Sequence, residues 1–429
     1  MVLKANPRLI LLVLSALVFP SRATGQELTG RLSGTSEEAP IAGALVALID
    51  SAGRETARAL SSPSGGFRLK APSAGAYRIR VIRIGFLSWL SPPIALASGE
   101  SREQRFTVEE RIIRLADIEV TTTASRCGVR SNDGDIIGGL LGEAEKALAL
   151  TEQTIRQGDF RFRTETYVTR PTEDGAPGEK QTATDVAQAM WPVQSAPPES
   201  LAVWGFVHHP RQDDALLSEL GPDRGPVYFG PDARVLFADW FLDGHCFAVV
   251  AGSGDSGLVT VEFTPARRSA RRDIRGRLSL DRQSLELRRL EFTYTGLPRW
   301  APVDSSGGKM SFRRLASGAW VINEWSLRAP IPRIGRRGDT TFFGFAETGG
   351  KVTEIRRGRR GPVEKVSTRK PSYGSRGRDV ANWSPSISET YDPDTVLVEP
   401  RADVGAKIRP RSESLCDAIH HPLHHGASW

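Results

Sequence analysis

Residues 27–121 are cut into short apolar stretches by turn-forming residues, and that spacing leaves room only for brief strands. Candidate strands are Leu28–Leu32, Ala44–Ile49, Glu55–Leu60, Gly66–Lys70, Tyr77–Ile84 and Gln104–Val108. The gaps between them carry Gly, Pro, Ser and the pair Asp50-Ser51. Tyr77, Ile79 and Val81 alternate with Arg78 and Arg80, which predicts a strand with one buried face. Ile82, Ile84 and Phe86 then continue on even numbers, and such a slip predicts a bulge. The spacing as a whole predicts a β-sandwich of seven or eight strands.

A second extended region follows. Residues 127–142 read as a Gly-rich connector, and Gly142 to Gln157 as a helix with an apolar stripe of Ala144, Ala147, Leu148, Leu150 and Ile155, ended by Gly158. From Asp159 to about Glu354 the pattern is extended again. Val259, Val261 and Phe263 alternate with Thr260 and Glu262, and Asp281-Arg282-Gln283-Ser284 is a turn between Leu278–Leu280 and Leu285–Tyr294. Val321, Trp325 and Leu327 mark another strand. Long adjacent strands with short turns predict an antiparallel meander or half-barrel. The expected fold class is therefore mainly β. Residues 26–121 form a sandwich, 122–158 a linker and helix, and 159–355 an antiparallel domain. Residues 356–429, rich in Arg, Gly, Ser and Pro, are expected to be a disordered basic tail.

The first 25 residues read differently. Lys4 and Arg8 precede an apolar run from Leu9 to Phe19, and Ala23-Thr24-Gly25 supplies the small residues of a cut before Gln26. These are the parts of a secretory signal peptide. The run is shorter than the roughly 20 apolar residues of a spanning helix. An exported chain without a transmembrane span is expected, placed in a periplasm, at an outer membrane, or secreted.

Charge adds to this. The formal net charge is +7, but Lys4, Arg8 and Arg22 belong to the leader. Residues 356–382 hold nine Lys or Arg against Glu364 and Asp379. The remaining body is slightly acidic, which argues against nucleic acid as a partner. Of the three cysteines, Cys127 and Cys246 flank segments with folded patterning, whereas Cys416 lies in the tail. In an oxidising compartment, Cys127 with Cys246 is the expected disulfide.

Several stretches in residues 27–121 carry a family likeness. Gly30-Arg31-Leu32-Ser33-Gly34 is followed by Ala39-Pro40-Ile41-Ala42-Gly43-Ala44-Leu45-Val46. Gly65-Gly66-Phe67-Arg68-Leu69, Gly75-Ala76-Tyr77-Arg78-Ile79, Ile84-Gly85-Phe86 and Ile94-Ala95-Leu96 with Gly99-Glu100 come next. This order resembles the carboxypeptidase regulatory-like domain, a transthyretin-like sandwich placed with the carbohydrate-binding-like folds. The resemblance implies a domain without catalytic residues of its own, standing beside a zinc peptidase or an outer-membrane receptor. Gly276-Arg277-Leu278-Ser279-Leu280-Asp281 before Leu287–Thr295 resembles periplasmic lipoprotein carriers, which are open barrels around an apolar cavity. Trp240, Trp300, Trp320 and Trp325 would line such a cavity.

Motifs with chemical precedent have simpler explanations. Gly254-Asp255-Ser256-Gly257 matches the surroundings of a serine-protease nucleophile, but His245 stands too near in sequence to be its base. The stretch 252–257 satisfies G-x-G-x-x-G, yet Leu258-Val259-Thr260-Val261 after it is a strand where a phosphate-binding helix is needed. A hairpin turn accounts for both. No histidine has a glutamate three residues on, and H-E-x-x-H is absent, so no peptidase metal site is expected. His420, His421, His424 and His425 crowd the tail, and Asp213-Asp214 lies near His208-His209. Asp239 with Asp243 makes a second acidic pair, and Arg267-Arg268 with Arg271-Arg272 a basic cluster. All four read as solvated polar segments. No catalytic, cofactor-binding or metal-ligating residue is assigned, and no cofactor is expected. The expected role is an exported, non-catalytic envelope protein that binds or scaffolds, with carbohydrate, lipid or an envelope protein as partner. Two alternatives remain open: an outer-membrane receptor-associated protein of the TonB-dependent type lacking its own barrel, and a secreted hydrolase or peptidase of unrecognised type.

Overall fold

The computed structural model describes residues 26–35, 39–109, 126–130, 136–208, 226–251, 257–266, 272–358, 361 and 363–366. The leader 1–25, most of the linker before Arg126 and the tail from residue 367 lie outside the described residues. All described residues fall in one compact unit.

Strong alternation in the first hundred residues builds two facing sheets. The strands are β1 (Gln26–Gly34), β2 (Leu45–Ile49), β3 (Glu55–Leu60), β4 (Gly66–Ala71), β5 (Gly75–Ile82), β6 (Trp89–Leu90), β7 (Ile94–Leu96) and β8 (Ser101–Val108). One sheet has the order β4-β1-β8, and the other β3-β2-β5-β6 with β7 beside β5. Tyr77, Ile79 and Val81 face inward and Arg78 and Arg80 outward. Leu28, Leu32, Val46, Leu48, Phe67, Leu69 and Phe106 fill the space between the sheets. The change of phase at Ile82 is not a bulge. β5 ends there, and Gly85 takes φ +80° in the turn that follows. Ile84, freed from the strand, is buried in the second core.

The rest of the chain forms one large sheet with helices on one face. Its elements are β9 (Arg126–Cys127), α1 (Ile136–Gln157), β10 (Phe160–Thr169), β11 (Gln181–Gln188), α2 (Pro198–Trp204), β12 (Val207–His208), β13 (Val227–Tyr228), α3 (Ala233–Leu236) and α4 (Asp239–Gly244). Then come β14 (His245–Ala251), β15 (Leu258–Pro265), β16 (Asp273–Asp281), β17 (Leu287–Thr295), β18 (Gly307–Arg314), β19 (Trp320–Ile334), β20 (Thr340–Arg357) and β21 (Val363–Lys365). The eleven-stranded sheet runs β11-β10-β20-β19-β18-β17-β16-β15-β14-β9, with β21 on β20. From β14 to β20 it is an antiparallel meander in which chain neighbours pair. β12 and β13 form a separate two-stranded ladder.

Three further expectations need correction. The connector read at 127–142 is helical from Ile136, because Ile137, Leu140 and Leu141 are buried against the sheet. That burial outweighs the helix penalty of Gly138, Gly139 and Gly142, about 1 kcal/mol each. The tail boundary at 355 is too early. β20 runs to Arg357, β21 pairs with it, and Arg313 bonds Glu364 at 3.1 Å. The four tryptophans part company: Trp320 is buried in the core, Trp240 packs at its edge, and Trp325 lines an open cleft. Trp320 is among the largest fully buried side chains, together with Tyr228, Tyr294, Phe206, Phe241, Phe247 and Phe263. Tyr228 and Tyr294 pack edge to face at 5.3 Å between centroids, so side chains fill the helix side of the sheet.

The sandwich and the large sheet share apolar contacts. Leu45 and Ile84 belong to the same core as α1 and the strands beneath it. Gly43 takes φ +66°, and a Cβ built on it would stand 2.2 Å from the Gly318 carbonyl oxygen in the β18–β19 turn. Ser61 fixes this segment from behind: its hydroxyl donates to the Ile41 carbonyl at 2.7 Å and accepts from the Ala44 amide at 2.9 Å. Gly43→Ala combines a left-handed backbone with a steric clash, and is expected to destabilise by about 2–5 kcal/mol. Urea unfolding of the variant against Gly53→Ala checks this, since Gly53 also has a positive φ but nothing within 4 Å of the new methyl. Equal losses in the two variants would mean that the Gly318 contact contributes nothing.

Candidate functional site

The helices pack on one face of the large sheet; the other face carries a small apolar cluster, with Phe160, Phe162, Val321, Val352 and Ile355, and a polar stretch beside it. Leu327 and Ala329 of β19 enter the helix-side core, so Glu324 and Ser326 point the opposite way. Two cross-strand rows lie on that polar stretch. In the first, Glu324 faces Lys351, Lys351 faces Glu165, and Glu165 faces Thr184. In the second, Lys309 faces Ser326, then come Gly349, Tyr167 and Thr182. Facing residues of opposite charge support the pairing of three strands, β19, β20 and β10, the last distant in sequence from the other two. The Lys351 ammonium lies 3.0 Å from the Glu165 carboxylate, with both side chains about half exposed. Such a pair adds at most about 1 kcal/mol and leaves both groups open to a ligand.

These residues line a cleft of about 420 Å³. Tyr167 anchors it. Its ring lies over Gly349, where an added Cβ would come within 2.8 Å of the ring carbons. Its hydroxyl donates to Glu347 at 3.2 Å, and the Lys180 ammonium stands 3.6 Å from the ring centroid, a cation–π distance. Burial, with Glu347 and Glu324 nearby, holds the phenol well above its ordinary pKa, so Tyr167 remains a donor at neutral pH. Trp325, one of the four tryptophans singled out from sequence, lines the cleft as well, with its ring against Gly350. Around it, Lys309, Lys351 and Lys180 can donate hydrogen bonds, Glu165 and Glu324 can accept them, and Thr182 and Thr184 can do both.

The residues singled out from sequence are dispersed. Cys127 and Cys246 are bonded as a disulfide and sit opposite each other on β9 and β14. His245 is buried, with Nδ1 2.8 Å from the Phe241 carbonyl and Nε2 3.1 Å from that of Ile274. It stacks on Phe241 at 3.8 Å, so it belongs to the core. Asp239 and Asp243 both reach Arg130, at 3.6 and 2.7 Å. His208 stacks on Trp204 at 4.8 Å. Arg272 donates to the Val207 carbonyl at 3.3 Å. His209, Asp213, Asp214, Asp255, Ser256, Arg267, Arg268, Arg271 and the tail histidines lie outside the described residues. Among the described residues, no group of three or more His, Cys, Asp or Glu is placed to hold a metal ion, and no helix is long and apolar enough to cross a membrane.

Sequence reasoning singled out Trp325, which lines the cleft, but missed its charged residues. Its charges come from β10, β18, β19 and β20, and only the register brings them together. The one local signal was Gly349-Gly350 inside a strand pattern, since glycine there marks a close approach of another group.

Residues 27–109 match the family model of the carboxypeptidase regulatory-like domain. No curated protein sequence matches the chain. Among solved structures, the chain is similar to a streptococcal ancillary pilin at 10% identity, covering 38% of this chain and 48% of that one, with a TM-score of 0.17. The TIE protein of Bacillus anthracis shows 9% identity over 80% of this chain and 46% of that one, TM-score 0.17. A Bacteroides uniformis protein described as a candidate carbohydrate-binding protein shows 6% identity over 56% and 91%, TM-score 0.16. The chain thus spans about half the length of the first two.

Proposed function

We propose that this chain is an exported, non-catalytic binding protein of the cell envelope, and that the polar cleft on β10, β18, β19 and β20 takes a carbohydrate. The observation that carries the reading is the cleft's alternation of lysine, glutamate and threonine across adjacent strands. Vicinal hydroxyls of a sugar both donate and accept, and alternating cations and carboxylates meet that pattern better than they meet a singly charged ligand. The leader-like residues 1–25 and the Cys127–Cys246 bond support an oxidising compartment outside the cytoplasm. The regulatory-like sandwich supports an accessory role.

Titration calorimetry against a panel of neutral and acidic soluble oligosaccharides tests this reading. Lys309→Ala and Glu324→Ala are each expected to weaken binding about tenfold or more, the value of a hydrogen bond to a charged group. Both lie outside the Lys351–Glu165 ion pair, and circular dichroism checks that the strands survive their loss. Release of new reducing ends from the same oligosaccharides would replace this reading with a hydrolase. Failure of every oligosaccharide to bind would remove carbohydrate as the ligand class.

A further inference from the structure

The cleft runs across the strands. Each of β11, β10, β20, β19 and β18 contributes no more than three neighbouring residues to it, so it spans four strand spacings, about 19 Å. The register carries both of its rows further. From Glu324 the first continues through Ser311, Arg289, Ser279 and Thr260. From Lys309 the second continues through Glu291, Arg277 and Glu262. The register shifts of these strands all fall outside the two rows, so neither row changes face. From β11 to β15 there are seven spacings, about 34 Å along the sheet. The added stretch is as open as the cleft: the Arg277 side chain is 53% exposed and that of Arg289 49%, against 47% for Lys351. Glu291 lies 2.5 Å from Arg277 and 3.8 Å from Arg289, and exposed pairs of this kind hold their partners only weakly.

We propose that the ligand is an extended glycan chain lying across the strands, and that Arg277, Glu291 and Arg289 form a second binding stretch beyond the cleft. The proposal rests on the carbohydrate reading of the cleft and adds the length and direction of the chain. The interval of the rows carries it. Charges of alternating sign and hydroxyls succeed one another once per strand, about every 4.8 Å. A linear glycan presents its hydroxyls once per sugar, at close to that interval, so each sugar meets a new pair of side chains. An extended peptide repeats about every 3.4 Å and falls out of step within a few residues. The two guanidinium groups donate to sugar hydroxyls, and the Glu291 carboxylate accepts from them. A chain of about four sugars is satisfied by the four spacings of the cleft alone. A chain twice as long reaches the arginines of β16 and β17.

Titration calorimetry on the full chain tests this, with tetrasaccharides and octasaccharides prepared from xylan, chitin and polygalacturonate as probes. In a series that binds, the octasaccharide is expected to bind at least about tenfold more tightly than the tetrasaccharide, the value of one added hydrogen bond to a charged group. Arg277→Ala combined with Arg289→Ala should abolish that gain, with the loss confined to the octasaccharide. Circular dichroism checks that the double variant keeps its strands. Octasaccharides that bind no more tightly than tetrasaccharides overturn the proposal and leave the carbohydrate reading of the cleft in place. A gain that survives the double variant also overturns it, because the gain then comes from the larger number of positions open to a longer chain. Equal weakening of both lengths overturns it as well, since the arginines would then act through the fold. If neither length binds in any series, the carbohydrate reading falls, and this proposal falls with it.

Discussion

Replacing Cys127 and Cys246 with serine is expected to lower the unfolding free energy by about 4–5 kcal/mol. The bond joins residues 119 apart. In the chain-entropy account, cross-linking a loop of that length restricts the unfolded ensemble by about this amount, more than a short loop would. The geometry gives the bond a second role. β9 is only two residues long and pairs with β14 through Cys127–Cys246 and Arg126–Phe247. A two-residue strand has little cohesion of its own, so the disulfide is what keeps the edge of β14 covered. Arg130, close by, ties the same segment to Asp243 at 2.7 Å. That pair is exposed and adds little. Urea unfolding with and without reductant provides the measurement. A loss under 1 kcal/mol would mean that β9 is held by other contacts.

The second large effect concerns Glu143 on α1. Its carboxylate is buried, bonded to Lys146 at 2.6 Å and to the Gly85 amide at 2.7 Å. The Lys146 ammonium also donates to the Phe86 carbonyl at 2.7 Å. One turn of helix thus satisfies the backbone of the sandwich turn that follows β5. Glu143→Ala leaves the lysine and the amide without their partner in a buried site, and about 3–5 kcal/mol of destabilisation is expected. Glu143→Met with Lys146→Met removes both charges together and should be much closer to neutral. Equal losses in the single and double variants would show that the pair is not coupled.

The pH dependence follows from the same site. Burial pushes the Glu143 carboxyl above its ordinary range, although Lys146 and the Gly85 amide pull part of the way back. The folded state therefore keeps a proton that the unfolded state has already released. This group's contribution is greatest below the ordinary carboxyl pKa and declines as the pH rises through the raised value. Subtracting the stability curve of Glu143→Gln from that of the parent isolates the decline. A difference that grows with pH would contradict the sign.

How much of this was legible in the sequence depended on the range of the interaction. The strands of residues 26–109 were readable because alternation is local: Tyr77, Ile79 and Val81 announce a buried face without reference to other residues. The meander from β14 to β20 was readable for the same reason, with consecutive strands becoming neighbours. The helix start at Ile136 was misread because glycine propensity is local, whereas the burial of Ile137 and Leu140 that overrides it is not. Ile84 misled in the same way, since its buried environment is the second core and not the strand that precedes it.

The sequence by itself determined a mainly β chain with a regulatory-like sandwich, a leader-like start and no convincing catalytic motif. Period-two patterning, turn residues and residue chemistry are carried by neighbours along the chain, so one dimension suffices for them. Only the tertiary structure decided that Glu324, Lys351 and Glu165 form one row and that Gly43 meets Gly318. Register fixes each of these. A shift of one residue in any strand would turn its side chains to the opposite face and erase the row.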